Sequence, residues 1–272
     1  MRDFSAAPSE LVASLWRNRG LVNALIRREI VGRYRGSIMG ILWSLLNPIF
    51  MLIVYTFVFS VVFKARWTIG SDSKTEFSLV LFAGLIVFNL FAECVTNAPN
   101  LIISQTNYVK KVIFPLEILP WVTLASAMFH ALVSCIVWMA AYFVFFGIPH
   151  ATVLLFPVVL VPLLLLIMGI SWILAALGVY LRDVSQFIGT VTTVLMFLSP
   201  VFYAVSALPE SYRHLVLFNP LALVISQTRE VLFFGIVPDA LPFLGCLAGS
   251  ALIAWMGFAW FQKMRGGFAD VL

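Results

Sequence analysis

The stretch VLLFPVVLVPLLLLIMGISWILAALGVYL, Val153–Leu181, runs for 29 residues without a single charge. A helix rises 1.5 Å per residue, so about 20 apolar residues cross the roughly 30 Å hydrocarbon core of a bilayer. Val153–Leu181 therefore reads as a membrane-spanning helix. Five further apolar stretches surround it: Ile41–Phe63, Phe77–Val95, Ile118–Phe146, Phe187–Val205 and Leu241–Phe261. Bulk composition agrees, with 62% hydrophobic and 11% charged residues and a mean hydropathy of +1.04. Soluble domains carry about 25% charged residues. The expectation is an all-α, polytopic membrane protein with six transmembrane helices. The six spans leave no room for a separate soluble domain. Residues 1–272 thus read as one transmembrane domain: a cytoplasmic or interfacial segment at 1–36, five spans within 41–205, an outer hairpin at 206–240, and the sixth span at 241–261.

Basic residues set the orientation. Arg2, Arg17, Arg19, Arg27, Arg28, Arg33, Arg35, Lys110, Lys111, Arg182, Lys263 and Arg265 fall on one side, 12 of the 17 Lys and Arg. Both termini are predicted to be cytoplasmic. The net charge of +5 fits anchoring to anionic lipid and not nucleic-acid binding. The polar start MRDFSAAPSE lacks the apolar core of a signal peptide. Cys94, Cys135 and Cys246 lie far apart in apolar segments, which suggests neither a metal site nor a disulfide framework.

Between the fifth and sixth spans lie two apolar runs, Leu215–Ile225 and Val231–Val237. Each is too short to cross. They predict a re-entrant helical hairpin at the outer interface, carrying Arg213, Asn219, Pro220, Arg229 and Glu230. Such a hairpin either gates the outer mouth or only packs there.

At the inner face, Leu21, Leu25, Ile30 and Tyr34 recur at helical spacing with Arg27, Arg28 and Arg35 interleaved; Arg33 lies in the same stretch. This is the pattern of an amphipathic interfacial helix. Guanidinium groups bind phosphate bidentately. These arginines either anchor the helix to head groups or dock the phosphate of a lipid-linked substrate. Gly32, Gly36 and Gly40 follow at spacing four, and Gly245 and Gly249 repeat that spacing in the sixth span, with Gly257 beyond. Small residues on one helical face let backbones approach closely. The loop Thr96–Glu117 holds a candidate short helix, Leu101–Val112, with Asn107, Lys110 and Lys111 as a docking element for a cytoplasmic protein. Arg182 and Asp183 offer a second contact.

Catalytic and nucleotide motifs do not occur. There is no G-x-x-x-x-G-K-[ST], no H-E-x-x-H and no glycine-rich dinucleotide fingerprint, so ATP hydrolysis must come from another subunit. The ionisable residues within the spans are Glu93 and His130. Glu93 sits where it can reach the inner interface and a basic loop residue, and His130 reads as a satisfied core histidine. A proton- or ion-coupled transporter would show a longer chain of such groups. Aromatics make up 15% of the chain. Trp43, Tyr55, Phe59, Phe202 and Tyr203 are candidates for stacking on sugar rings, or for plain packing.

Longer motifs carry a resemblance. Arg27–Phe63 (RREIVGRYRGSIMGILWSLLNPIFMLIVYTFVFSVVF) resembles the approach to the first span in ABC-2 type permeases of bacterial polysaccharide exporters. Val109–Pro120 (VKKVIFPLEILP), Leu181–Val184 (LRDV) and Phe218–Gly235 (FNPLALVISQTREVLFFG) resemble later elements of that family. The best match is to O-antigen exporters. Teichoic acid exporters are similar, and the capsule branch fits less well. The resemblance implies a transporter permease and not an enzyme, residing in the bacterial inner membrane and exporting an undecaprenyl-type, pyrophosphate-linked polysaccharide. It further implies a second copy of the chain and two copies of an ATP-binding subunit that carries ATP and Mg, with no cofactor in this chain. By resemblance, Asn100–Val112 is the main coupling helix, Arg182-Asp183 a second coupling contact, and Leu208–Gly235 the periplasmic gate. A small-molecule permease of the same architecture is the alternative.

Overall fold

The computed structural model describes residues 7–63, 67, 74–109, 114–217 and 219–272. The described residues form helices and turns and no strand. Helices α1 (Pro8–Arg17) and α2 (Arg19–Tyr34) come first. A 3-10 turn, Gly40–Leu42, leads into α3 (Trp43–Tyr55), which continues as a π-helix over Thr56–Val62. Then come α4 (Lys74–Asn97), the short α5 (Thr106–Val109) and α6 (Leu119–Phe146). The second half holds α7 (Phe156–Tyr180), α8 (Val184–Leu198), α9 (Glu210–Leu217), α10 (Pro220–Arg229), α11 (Ala240–Met264) and α12 (Phe268–Val271).

Five helical segments are long and apolar enough to cross a membrane: Gly40–Phe59, Thr75–Asn100, Leu116–Phe146, Ala151–Tyr180 and Ala240–Val271. They match five of the six predicted spans to within a few residues at most ends. The predicted fifth span, Phe187–Val205, is instead the 15-residue α8. Ser199-Pro200 ends it, because proline disfavours helical backbone in the residue before it. At about 1.5 Å per residue, α8 is roughly 22 Å long.

α4 is the central post. Val80, Leu81, Ala83 and Val87 have no accessible surface, and α6, α7, α8 and α10 pack around it. α3 contributes no fully buried residue and lies at the periphery of the chain. α7 and α11 make the closest helix pair. A Cβ on Gly257 would overlap the Gly169 carbonyl oxygen, so only glycine permits this crossing. Gly178 likewise admits the Pro99 carbonyl, which seats the turn after α4 against α7.

Not every glycine picked out by spacing packs a helix. Gly36 (φ +85°) and Gly40 (φ +52°) are turn residues after the end of α2, and they share no helical face with Gly32. Positive φ is strained for side chains with a Cβ. At Gly245 and Gly249 a Cβ would meet nothing of this chain within 4 Å. The close contact belongs to Gly257 and its partner Gly169.

Two other expectations change. α2 turns Val22 and Leu25 onto Ile118 and Val122, while Leu21 is 38% exposed. Val22 thus takes the place of Leu21, Leu25 is buried as expected, Ile30 and Tyr34 are half-buried, and the face packs on protein. Of the expected helix over Leu101–Val112, the described residues form a 3-10 turn at Ile103–Gln105 and then α5, with Ile102 buried in the core; its last three residues lie outside the described residues.

Candidate functional site

Polar residues recur at spacing four on three otherwise apolar helices, which puts each set on one face. α3 offers Trp43, Asn47, Met51 and Tyr55, α4 offers Asn89, Glu93 and Asn97, and α6 offers His130 and Ser134. These faces converge on a groove of about 830 Å³. Arg33 and Tyr34, at the end of α2, line its mouth.

Arg33, Glu93 and His130 form one cluster at that mouth. The Arg33 guanidinium donates to Glu93 Oε1 and forms a salt bridge with it. His130 Nδ1 lies 3.0 and 3.1 Å from the two Glu93 oxygens and 2.8 Å from Arg33 Nη1. Tyr34 meets the His130 ring edge-on, with centroids 6.2 Å apart. Arg33 remains 47% exposed, whereas Glu93 is 21% exposed. The carboxylate is fixed by two partners and the guanidinium keeps a free side.

A second cavity, about 540 Å³, lies on the other side of this cluster, between α2, the C-terminal end of α4 and the N-terminal end of α6. Arg33, Glu93 and Asn97 line both cavities. The ion pair is therefore a wall between them. Thr123 borders the smaller cavity, and its buried hydroxyl has no hydrogen-bond partner among the described residues.

The remaining arginines of the interfacial set differ. Arg28 donates to the Tyr108 hydroxyl at 2.8 Å, and Tyr108 stacks on Phe114 with centroids 4.2 Å apart. Arg27 and Arg35 do not line either cavity. Of the stacking candidates, Trp43 and Tyr55 line the large groove. Phe59 and Phe202 stack on each other at 6.0 Å, with Phe77 on Phe59 at 5.5 Å, so their faces are occupied by aromatic neighbours. Tyr203 points elsewhere: its hydroxyl donates to the Phe197 and Leu198 carbonyls at the end of α8.

Among the coupling candidates, Lys110 and Lys111 lie outside the described residues. Asn107 sits in α5, and Arg182 and Asp183 are exposed in the turn between α7 and α8. In the outer hairpin, Asn219 Oδ1 caps α10 by accepting from Leu221 N at 3.0 Å, Nδ2 donates to Ser199 at 2.9 Å, and Pro220 takes the first turn. Arg213 folds back on the Leu208 and Ser206 carbonyls. Burial, and then the charge of Asp239, push the Glu230 carboxyl up from the ordinary carboxylate range.

Arg229 is 4% exposed. It donates to the carbonyls of Val80 (3.0 Å), Pro200 (2.6 Å) and Val201 (2.6 Å), and its guanidinium lies 4.3 Å from the Trp67 ring centre. Gly84 leaves the room: a Cβ there would sit 2.7 Å from Nη2. Arg229 thus ties α10 to α4 and to the turn after α8.

A second buried knot has no counterpart among the sequence expectations. Arg265 pairs with Glu117 at 2.6 Å and donates to the Phe114 carbonyl. Ser14 of α1 donates to the other Glu117 oxygen at 2.9 Å. This knot joins α1, α6 and α11. Its only signal in the sequence is a lone Glu117 at the edge of a span.

The family model for ABC-2 type transporters matches residues 20–233, which include almost all of α2, the helices through α10, and both cavities. The chain belongs to the ABC-2 type transporter family. It is a multi-pass membrane transporter chain by that membership and by its five apolar helices. Among relatives, it is 30% identical to the O-antigen export system permease protein RfbA of Myxococcus xanthus over 262 residues, 96% of this chain and 98% of that one. A protein of the same name from Klebsiella pneumoniae is 26% identical over 253 residues, 93% of this chain and 95% of that one. The polysialic acid transport protein KpsM of Escherichia coli is 24% identical over 223 residues, 80% and 83% of the two chains.

Proposed function

We propose that this chain is the transmembrane subunit of an ATP-driven exporter. It moves a lipid-pyrophosphate-linked polysaccharide of O-antigen type from cytoplasm to periplasm across the bacterial inner membrane. The observation that carries this reading is the likeness, along 96% of the chain, to an O-antigen export permease. The polar groove with Trp43 and Tyr55 on its wall and Arg33 at its mouth supports it. Aromatic faces suit sugar rings, and a guanidinium suits a phosphate.

In this reading two copies of the chain pair with two copies of a separate ATP-binding subunit, which binds ATP and Mg. α5, which holds Asn107, and the Arg182-Asp183 turn meet that subunit on the cytoplasmic side, where both termini also lie. α8 is the fifth of six crossings, its shortness met by local thinning of the bilayer. The α9–α10 hairpin re-enters from the outer interface and gates the periplasmic mouth. Capsular polysaccharide is the second reading, favoured by the likeness to KpsM over 80% of the chain.

Deleting the gene in its host tests the cargo. Loss of surface O-polysaccharide with lipid-linked polymer accumulating inside is expected. An unchanged surface glycan with no internal accumulation overturns the proposal.

A further inference from the structure

The Arg33–Glu93–His130 cluster has a feature that packing alone does not require. One ring nitrogen, His130 Nδ1, is within hydrogen-bond distance of both an acceptor, Glu93, and a donor, Arg33. A neutral imidazole nitrogen either donates or accepts. Nδ1 therefore bonds Arg33 or Glu93, never both, and Nε2, 3.3 Å from Arg33 Nη1, is the ring's other contact with that guanidinium. While Arg33 holds Glu93, the histidine is free to serve as acceptor. If Arg33 leaves, Nδ1–H can donate to Glu93 and keep that carboxylate satisfied.

We propose that Glu93 is an internal counter-anion of Arg33, exchanged for a phosphate-bearing ligand, and that His130 holds the released carboxylate. This inference rests on the polysaccharide-export reading for the identity of the ligand. Three observations support the exchange. The guanidinium is half-exposed while the carboxylate is not. The pair forms the wall between two cavities of about 830 and 540 Å³, so breaking it joins them. Arg28 lines the smaller cavity beside Arg33, adding positive charge for an anion. Glu29, from α2, also borders this cavity and adds a carboxylate that repels anions; Arg28 offsets it.

Exchange by competition predicts an affinity order. The intact chain is placed in phosphatidylcholine nanodiscs and titrated calorimetrically with inorganic pyrophosphate, then with farnesyl pyrophosphate as a soluble lipid-linked probe. Glu93→Gln is expected to bind both at least tenfold more tightly than the unaltered chain, because the competing carboxylate is gone. Arg33→Ala is expected to bind neither. Glu93→Asp, which keeps the charge but withdraws it by one methylene, should shift affinity in the same direction by less and guards against misfolding of the glutamine variant. His130→Ala should weaken binding severalfold, since the released carboxylate then has no partner. Equal or weaker binding by both Glu93 variants overturns the exchange, as does binding that is indifferent to Arg33→Ala or absent in all variants. Repeating the titration in phosphatidylglycerol discs separates two sources of phosphate. Competition by the discs points to bulk head groups, and undiminished binding points to a pyrophosphate ligand; either keeps the exchange. The affinity order failing while export persists refutes this inference alone. Export of the predicted glycan failing while the order holds refutes the cargo reading alone.

Discussion

Replacing Gly84 by alanine offers a clean test of how α10 is held. The new Cβ would lie 2.7 Å from Arg229 Nη2 and 3.2 Å from Cζ, and the guanidinium has no slack because three carbonyls grip it. Overpacking of this kind costs about 1–3 kcal/mol. Arg229→Met removes the grip. The Val80 carbonyl lies within α4 and keeps its helical partner. Those of Pro200 and Val201 follow the end of α8 and lose their donor, at about 1–3 kcal/mol each. Relief of guanidinium desolvation offsets part of this, leaving a net cost of about 2–4 kcal/mol. If the two effects were independent, the double variant would lose about 3–7 kcal/mol. With no guanidinium left to meet the Cβ, Gly84→Ala should instead cost almost nothing in the Arg229→Met background, a coupling of about 1–3 kcal/mol. Reversible unfolding in mixed micelles, followed by tryptophan fluorescence, measures all four corners of the cycle. Strict additivity would refute the packing of Arg229 against Gly84.

Gly257→Ala should destabilise the fold by about 3 kcal/mol because its Cβ meets backbone of α7, whereas Gly249→Ala should be neutral in the isolated chain; the same unfolding assay distinguishes them. Removing Arg265 as Arg265→Met should cost about 3–5 kcal/mol by stranding Glu117, and Glu117→Gln in that background should recover part of it; thermal melts of the three variants check the order. Glu230 is raised by burial, so its native form holds a proton longer than the unfolded one. Its contribution is full below the unfolded pKa of about 4.3 and is lost as pH rises above it through the folded pKa. Glu230→Gln should flatten that part of a stability–pH curve.

The apolar runs make the long helices legible, since bilayer thickness sets their length. They overextend the fifth predicted span because Leu198–Val205 is apolar in composition yet broken by Ser199-Pro200, a conformational signal weaker than hydropathy. The groove is half legible. Asn89, Glu93 and Asn97 already share one face of α4 by spacing, but which helix faces them depends on tertiary packing. The expected partner of Glu93 is a basic loop residue, whereas the fold supplies Arg33 of α2, 60 residues away. Gly36 and Gly40 look like a helix-packing motif by spacing, because spacing is blind to φ. Gly84 and Gly169 carry no local pattern at all; their role emerges only when Arg229 and Gly257 arrive from elsewhere in the chain.

The central claim is that this chain carries a lipid-linked polysaccharide across the membrane at the expense of ATP bound by a partner. The most direct test is reconstitution of the full chain with its co-purified ATP-binding subunit in inside-out proteoliposomes, given lipid-linked polysaccharide labelled on the sugar. Labelled polymer is expected to become protected inside the vesicles only when ATP is supplied. Protection without ATP, or ATP turnover by this chain without its partner, would contradict the claim.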